Sequence, residues 1–309
     1  MTAGPEPAPL AAPPSRPRRL AYLGTPDVAV PPLRALHDAG FDIAVVVSRP
    51  DRRRGRGGAM SPSPVKAAAV ELGLSVTDDL DAVLSADVEL GVVVAYGRII
   101  PRTVLEAVPM INLHFSLLPR WRGAAPVERA LLAGDDHTGV CVMEVAEGLD
   151  TGAIYAVEET SIAADDTLSG LRGRLVDTGA RMLVEVLRNG LPAPTPQTGE
   201  VTMAAKIDPA EREIDWRRPA VEIDRLVRLG GAWTAFRGKR LKVWRTALVP
   251  ESEPDERAAA TPGTLDGLVV ATGDGALALV EVQPEGRGRQ SAESWRNGRR
   301  PAAAEQLGR

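Results

Sequence analysis

Ile111-Asn-Leu-His-Phe-Ser-Leu-Leu-Pro-Arg-Trp-Arg-Gly-Ala-Ala-Pro126 changes character twice within sixteen residues. Ile111, Leu113 and Phe115 are apolar, while Asn112, His114 and Ser116 are polar. An alternation of period two marks a strand with one buried face. Asn112 and His114 therefore share a face, about 7 Å apart at their α-carbons. Ser116-Leu-Leu-Pro119 then ends the strand in a turn, and Pro126 can open a helix, because proline is tolerated at the first helical position. A strand that runs into polar groups, a turn and a helix is where open α/β sheets hold their ligands.

Working toward the N-terminus, the sequence repeats that plan. Arg19-Leu-Ala-Tyr-Leu-Gly24 reads as a buried strand, Thr25-Pro-Asp27 as a turn, and residues 30–39 as a helix closed by Gly40. Ile43-Ala-Val-Val-Val-Ser48 is a β-branched run of the kind buried on both faces of a parallel sheet. Strand, helix and strand in so short a span make a βαβ unit with the usual right-handed crossover. A helix at 65–72, a short strand near Leu74 and a strand at 90–95 continue the sheet. After the helix from Pro126, strands at 139–144 and 153–157 and a long helix at 167–187 complete it. Gly24-Thr-Pro-Asp27 is not G-x-G-x-x-G, which disfavours a nicotinamide or flavin dinucleotide.

The chemistry lies in three polar side chains. Asn112 carries an uncharged amide able to donate to an oxygen that gains negative charge, and His114 is the side chain best suited to moving a proton near neutral pH. An Asn-X-His pair alone is more commonly a surface alternation or a satisfied buried pair. Glu147-Gly-Leu-Asp-Thr-Gly152 changes that balance, because Asp150 sits on a tight, glycine-bracketed loop between strands. Asn, His and Asp together make an acid–base set.

Composition bounds the remaining possibilities. At 309 residues, with 44% apolar and 25% charged residues, the chain has room for one large domain and a smaller one. A net charge of −4 gives no overall basic signature, so any nucleic-acid contact has to come from local patches. Cys141 is the single cysteine, lies in an apolar run and reads as a small buried hydrophobe in a reducing compartment rather than a nucleophile. The three histidines (His37, His114, His137) show no metal-ligand spacing with it, so no metal is expected. No run is long and apolar enough to span a membrane, and a cytoplasmic location is expected.

The stretch 111–126 resembles the formyltransferases that use 10-formyltetrahydrofolate, in which an Asn-X-His strand, a Ser-Leu-Leu-Pro loop and a later Asp form the active site. Leu117-Leu-Pro-Arg-Trp-Arg-Gly-Ala-Ala-Pro126 and Gly148-Leu-Asp-Thr-Gly152 are similar to the branch of that family that formylates initiator methionyl-tRNA. Gly24-Thr-Pro-Asp27, Ser61-Pro-Ser-Pro-Val-Lys66, Ala205-Lys-Ile-Asp208 and Ile214-Asp-Trp216 extend the resemblance over most of the chain. It implies a Rossmann-like, open, mostly parallel formyltransferase domain followed by a small C-terminal, OB-like β-barrel. It also implies 10-formyltetrahydrofolate as formyl donor and initiator methionyl-tRNA as acceptor. Separately, no obligate protein partner and a monomeric chain are expected. Catalysis would fall to Asn112, His114 and Asp150. Asp150 would orient His114, favour its charged form, or relay the proton through water. Ser116, Leu117, Leu118, Pro119, Tyr96 and Gly97 would line the folate pocket.

The expected organisation is a disordered Pro/Ala-rich tail at 1–17, the catalytic domain at 18–190, a linker at 191–216 and the barrel at 217–309. Leu191-Pro-Ala-Pro-Thr-Pro196 marks the linker by composition. A helix near 220–229 precedes strand-like runs at 240–244, 267–271 and 276–282, divided by Gly and Pro turns. Two basic groups are candidates for tRNA contact: Arg49, Arg52, Arg53, Arg54 and Arg56 in a loop at 49–64, and Arg237, Lys239, Arg240 and Lys242 in the barrel, with a further cluster at 287–300. Solvated charge runs are the plainer reading of each. Gly55-Arg-Gly-Gly-Ala59 lacks the lysine pair that the family often has there, and Gly230-Gly-Ala-Trp-Thr-Ala235 lacks its Pro-rich turn. Two rivals remain. One is formyl transfer to a small amine such as a nucleotide amino sugar, against which the basic C-terminal region and Arg120-Trp-Arg-Gly-Ala-Ala-Pro126 argue. The other is a folate- or RNA-binding protein without catalysis, which the presence of Asn112, His114 and Asp150 disfavours.

Overall fold

A β-branched run with no polar side can only be satisfied where both faces of its strand are covered. The computed structural model, which describes residues 10–54, 59–250 and 260–308, lays these runs down in that way. The strands in chain order are β1 (Arg19–Gly24), β2 (Asp42–Val47), β3 (Arg52–Arg54), β4 (Ala59–Ser61), β5 (Val76–Thr77), β6 (Leu90–Val94), β7 (Met110–His114), β8 (Arg122–Gly123), β9 (His137–Glu144), β10 (Ile154–Ser161) and β11 (Met203–Ala204). Seven of them form one sheet in the order β10-β9-β7-β6-β1-β2-β5. The pairs from β7 through β6, β1 and β2 to β5 are parallel, and β9 and β10 complete the sheet antiparallel. All five residues of β6 are buried, as are Leu20 to Gly24 of β1. Each fully buried large apolar side chain on these strands contributes about 1.5–3 kcal/mol.

The chain runs from β1 outward to β2 and β5, then returns to the other side of β1 as β6. The strand order reverses between β1 and β6, and an open sheet binds ligands outside the carboxyl ends at such a point. Helices α1 (Val30–Asp38), α2 (Pro64–Glu71), α3 (Ala82–Ser85), α4 (Arg102–Ala107), α5 (Pro126–Ala133) and α6 (Leu168–Asn189) connect the strands or follow them. Pro126 opens α5, as its position predicts. In α6, Gly179 lets the helix come close to β7 and β9: a Cβ there would lie 2.9 Å from Leu113 Cδ2.

Three expectations need correction. Residues 49–64 are not a plain loop, since β3 and β4 form an antiparallel hairpin with Arg52 opposite Ser61. Of the tail expected at 1–17, residues 1–9 lie outside the described residues and residues 10–17 are tied down: Leu10 packs on the core, the Ala11 N–H donates to the Leu105 carbonyl, and the Leu191 N–H donates to the Ser15 carbonyl. Residues 191–205 do not serve as a spacer. They pair with the first unit at Ile154–Thr195 and through β11, which lies parallel to β8.

The chain divides into two compact units: residues up to 127, 137–161 and 172–205 in the first, and 128–136, 162–171 and 206–309 in the second. The second unit contains α7 (Ala220–Arg228), β12 (Trp233–Phe236), β13 (Lys239–Leu248), β14 (Thr264–Asp266), β15 (Val269–Ala271), β16 (Ala276–Pro284), β17 (Gln290–Ser291), α8 (Ala292–Arg299) and β18 (Glu305–Gln306). Its strands run antiparallel in the order β12-β13-β16-β15-β14-β18, with β17 beside β16, as a nearly closed barrel. Trp216, Phe236 and Trp295 are buried, and the last two meet edge to face at 5.0 Å. Ile214 and Trp216, expected in the linker, belong to this core.

Candidate active site

β7 is flanked by β6 and β9, with Asn112 opposite Val93 on one side and Met143 on the other, and His114 opposite Cys141. Two residues apart on one strand, Asn112 and His114 project from the same face. His114 is buried, with only 5% of its surface exposed, while Asn112 is half-buried. His114 Nε2 lies 3.0 Å from the Trp121 carbonyl oxygen. A carbonyl only accepts, so Nε2 carries the hydrogen and donates it. In the neutral ring Nδ1 is then the free base, and it faces Asp150 Oδ2 at 3.6 Å.

The Asp150 loop is built to bring that carboxylate in. β9 leaves the sheet at Glu144, opposite Ile111, and the chain turns back before β10. Asp150 sits at φ +50°, in the left-handed region that Asp enters more readily than most residues with a Cβ. Its Oδ2 accepts the Gly123 N–H at 2.8 Å. Gly152 closes the loop against β9, where a Cβ would stand 1.9 Å from the Glu144 carbonyl oxygen, so no larger residue fits without moving the backbone. At the other end, Arg102 pairs with Glu147 and with Glu106. Three of the seven non-glycine residues with positive φ among the described residues, Ala95, Trp121 and Asp150, lie in the loops around this site.

Residues 116–119 form the turn that carries Trp121. Ser116 is fully buried; its hydroxyl donates to the Arg120 carbonyl at 2.7 Å, and its carbonyl accepts the Cys141 thiol at 3.1 Å. Leu117 lies against Gly139, where a Cβ would come within 2.5 Å of Leu117 Cδ2. Leu118 packs on Cys141 and Met143, the Leu118–Pro119 peptide is cis, and Pro119 is buried. Leu117 and Leu118 thus hold this turn to β9, while the Ser116 hydroxyl closes it on Arg120. Burial pushes the Cys141 thiol up to about 11, which suits packing and not nucleophilic attack.

Tyr96 and Gly97 turn the chain at the carboxyl end of β6. The Tyr96 carbonyl accepts from Thr25 Oγ1 at 3.0 Å. Burial raises the Tyr96 hydroxyl above its ordinary pKa, against the nearby Arg98 and Arg49 charges. Tyr96 Oη and Arg49 Nε are two of the three buried side-chain polar atoms with no hydrogen-bond partner among the described residues. Arg49 Nη1 is 3.8 Å from where a Gly97 Cβ would be, so this guanidinium belongs to the β6 turn rather than with the hairpin arginines.

Of those, Arg52 and Arg53 are exposed on β3, Arg54 is on the same strand, and Arg56 lies outside the described residues. In the barrel, Arg237 is committed to Glu305 through two bonds of 2.6 and 2.8 Å. Lys239 is exposed. Arg240 stacks on Trp233 at 4.1 Å, Lys242 stands 5.8 Å from the Trp244 ring, and Arg289 covers Trp244 at 3.4 Å. Alternation explains this face: Leu241 and Val243 point into the core, leaving Arg240, Lys242 and Trp244 outward.

Several working residues escape a reading of the sequence. Gln197, in the expected linker, donates from Nε2 to the carbonyls of Asp150 and Gly152 at 2.9 and 2.8 Å, and its Oε1 accepts from Arg122 Nε and Nη2 at 3.0 and 2.6 Å. Thr202 Oγ1 accepts the Trp121 N–H at 2.8 Å. The Trp121 carbonyl acts through the backbone, which residue identity does not signal. No helix among the described residues is long and apolar enough to cross a membrane, and no cluster of three metal-ligating side chains occurs among them.

The chain matches the formyl transferase family model over residues 18–187 and the formyl transferase C-terminal domain model over residues 206–300. It is 44% identical over 304 residues to a methionyl-tRNA formyltransferase of Symbiobacterium thermophilum, covering 91% of this chain and 92% of that one. It is also 44% identical to one of Jannaschia over 92% of this chain and 98% of that one. Among solved structures, the fold is similar to an N-formyltransferase of Helicobacter canadensis in complex with folinic acid and dTDP-3-aminofucose. That likeness has a TM-score of 0.63 at 16% identity, over 84% of this chain and 98% of that one. A site of buried histidine, half-buried amide and loop carboxylate thus stands on a chain that matches these relatives nearly end to end, and the chain belongs to the formyl transferase family, on its methionyl-tRNA formyltransferase branch.

Proposed function

We propose that this chain transfers the formyl group of 10-formyltetrahydrofolate to the α-amino group of methionine on initiator methionyl-tRNA. The observation that carries the reading is His114, buried at the end of β7 with one ring nitrogen committed to a carbonyl and the other facing a carboxylate. That arrangement takes up a proton at one defined atom. The amine can attack the formyl carbon only as the free base, and the tetrahedral adduct has to lose a proton before the bond to the donor nitrogen breaks. Nδ1 of His114 accepts that proton, and the departing nitrogen takes one up in return, so the enzyme ends as it began. General-base help of this kind is worth about a hundred- to ten-thousand-fold.

Asn112, on the same face two residues earlier, donates from its amide to the oxyanion formed from the formyl oxygen, at about 3 kcal/mol for a well-placed donor. The ring is oriented by the Trp121 carbonyl, and at 3.6 Å Asp150 stands beyond a direct hydrogen bond. Its part is to favour the imidazolium or to pass the proton on through a water, rather than to aim the ring.

Unpartnered Tyr96 Oη and Arg49 Nε at the β6 turn supply polar groups for a ring with hydrogen-bonding edges, which fits a folate donor. Tyr96, Gly97 and the backbone of Ser116, Leu117, Leu118 and Pro119 are the proposed folate side. Arg52, Arg53 and Arg54 of the hairpin, and Arg240, Lys242 and Lys239 of the barrel, are the proposed tRNA contacts, with aromatic-backed cations suited to a phosphate backbone. Arg237, held by Glu305, contributes less. Cytoplasmic action as a monomer completes the proposal. The test is acceptor choice: purified protein with 10-formyltetrahydrofolate is offered charged initiator tRNA or a nucleotide amino sugar. Formylation of the tRNA alone is expected, and transfer to the sugar alone overturns the reading.

A further inference from the structure

We propose that Gln197 is a positioning residue for formyl transfer, acting through Asp150; the proposal rests on the formyl-transfer reading above. Four hydrogen bonds converge on this one half-buried amide. Both of its N–H groups go to carbonyls of the catalytic loop, Asp150 at 2.9 Å and Gly152 at 2.8 Å. Its oxygen takes the Arg122 guanidinium at 3.0 and 2.6 Å. The orientation of the amide is forced, because carbonyls only accept and a guanidinium only donates.

Together with the Gly123 N–H, these contacts close a ring around Asp150. Arg122 grips the aspartate's carbonyl through Gln197, while the next residue, Gly123, grips its carboxylate through a backbone N–H at 2.8 Å. Two consecutive residues of β8 thus hold Asp150 at both ends, through its carbonyl and its carboxylate, with its backbone at φ +50°. β8 is itself fixed. The Arg122 N–H donates to the Thr202 carbonyl at 2.9 Å, and the Ala124 and Ala125 N–H groups donate to the Ala204 carbonyl at 2.9 and 3.1 Å.

The same strap, residues 195–204, reaches the other partner of His114. Thr202 Oγ1 accepts the Trp121 N–H, and the Trp121 carbonyl holds His114 Nε2. One segment therefore sets both groups that flank the imidazole, and Gln197 is its link to the carboxylate. Without it, the Asp150 and Gly152 carbonyls and the Arg122 guanidinium have no shared partner, and the 3.6 Å separation between Asp150 and His114 is no longer enforced. A displacement of about 1 Å at a reacting group costs on the order of a hundredfold in rate.

The experiment is a double-mutant cycle on formylation of charged initiator tRNA, with kcat and both KM values measured for wild type, Gln197→Leu, Asp150→Asn and the pair. Gln197→Leu is expected to lower kcat about ten- to hundredfold and leave both KM values within about threefold. In the Asp150→Asn background it is expected to cost less than about threefold more, since a residue that acts through another loses its effect once that other is gone. Gln197→Glu runs beside it, because it keeps the Arg122 pairing and so the strap, yet opposes two carbonyls with a carboxylate. It should match the leucine variant, and it carries the cycle if Gln197→Leu does not fold. Rate reductions that multiply in full, or variants as fast as wild type, overturn the positioning role. If the wild-type protein does not formylate charged tRNA at all, it is the reaction assignment that fails, before any variant is compared.

Discussion

Asp150→Asn isolates the charge of the carboxylate from its place in the loop. The amide oxygen can still accept the Gly123 N–H that Asp150 Oδ2 now takes at 2.8 Å, so the loop keeps its fastening. What disappears is the attraction for an imidazolium that exists only once His114 has taken the proton. The groups are 3.6 Å apart, with side chains only 6% and 16% exposed. At an effective dielectric of about 20, two unit charges at that distance attract by about 4–5 kcal/mol. An amide dipole restores part of this, leaving a deficit of about 3–4 kcal/mol on the transition-state side, or roughly 100- to 1,000-fold in kcat at 1.36 kcal/mol per decade. Single-turnover formylation, with donor and charged tRNA saturating, reads this step apart from binding. A reduction below about threefold, or one confined to KM, refutes the reasoning, because it would mean that no charge develops on His114 in the step that limits turnover.

Three further outcomes follow from other parts of the molecule. Cys141, fully buried with its thiol pushed up to about 11, should resist aromatic disulfide reagents at pH 8 in the folded protein and react once per chain in guanidinium. Glu89 accepts the N–H groups of Arg18 and Arg19 at 2.6 and 2.9 Å, which lowers its pKa in the folded state. Its contribution is therefore present above the unfolded carboxylate pKa of about 4.3 and lost as pH falls through the lower folded value, so the melting-temperature gap between wild type and Glu89→Gln should be seen at pH 7 and close on acidification. Replacing Arg240 and Lys242 together with alanine should weaken binding of charged tRNA and reduce the slope of log K against log salt by about 0.7–0.9 for each phosphate no longer neutralised; an unchanged slope would remove this face from the interface.

The fold was legible wherever side-chain pattern dictated it. The buried runs at β1, β2 and β6, the alternation at β7 and the proline opening α5 each have a periodicity or a backbone restriction that allows few alternatives. Asn112, His114 and Asp150 stand out in the sequence because the Asn-X-His alternation is followed by a carboxylate on a glycine-bracketed loop, and the motifs around them resemble the formyltransferases. The structure places His114 and Asp150 side by side, with Asn112 on the same strand face. What escaped detection acts through backbone or across sequence distance. The Trp121 carbonyl aims His114, yet any residue has a carbonyl. Gln197 is 47 residues from Asp150 and stands just after a Pro-rich run whose composition argues for a spacer. The residues that follow the run instead strap β8 and the Asp150 loop together, while the run itself is tied at Leu191 to Ser15 and at Thr195 to Ile154, its prolines leaving few donors to pair. Charge was misleading in a different way. Arg237 and Arg240 look alike in the sequence, but Glu305 arrives 68 residues later to claim the first, while the second stacks on Trp233.

The central claim is that formyl transfer depends on His114 as proton acceptor, and acid-gel mobility of charged initiator tRNA tests it most directly. Wild type and His114→Ala are incubated with 10-formyltetrahydrofolate under single-turnover conditions, after both are shown to melt cooperatively and to bind the tRNA. Conversion by the wild type with a rate at least about a hundredfold lower in the variant is the predicted result. Equal rates would contradict the account, because the proton would then be leaving the amine by a route that does not pass through this histidine.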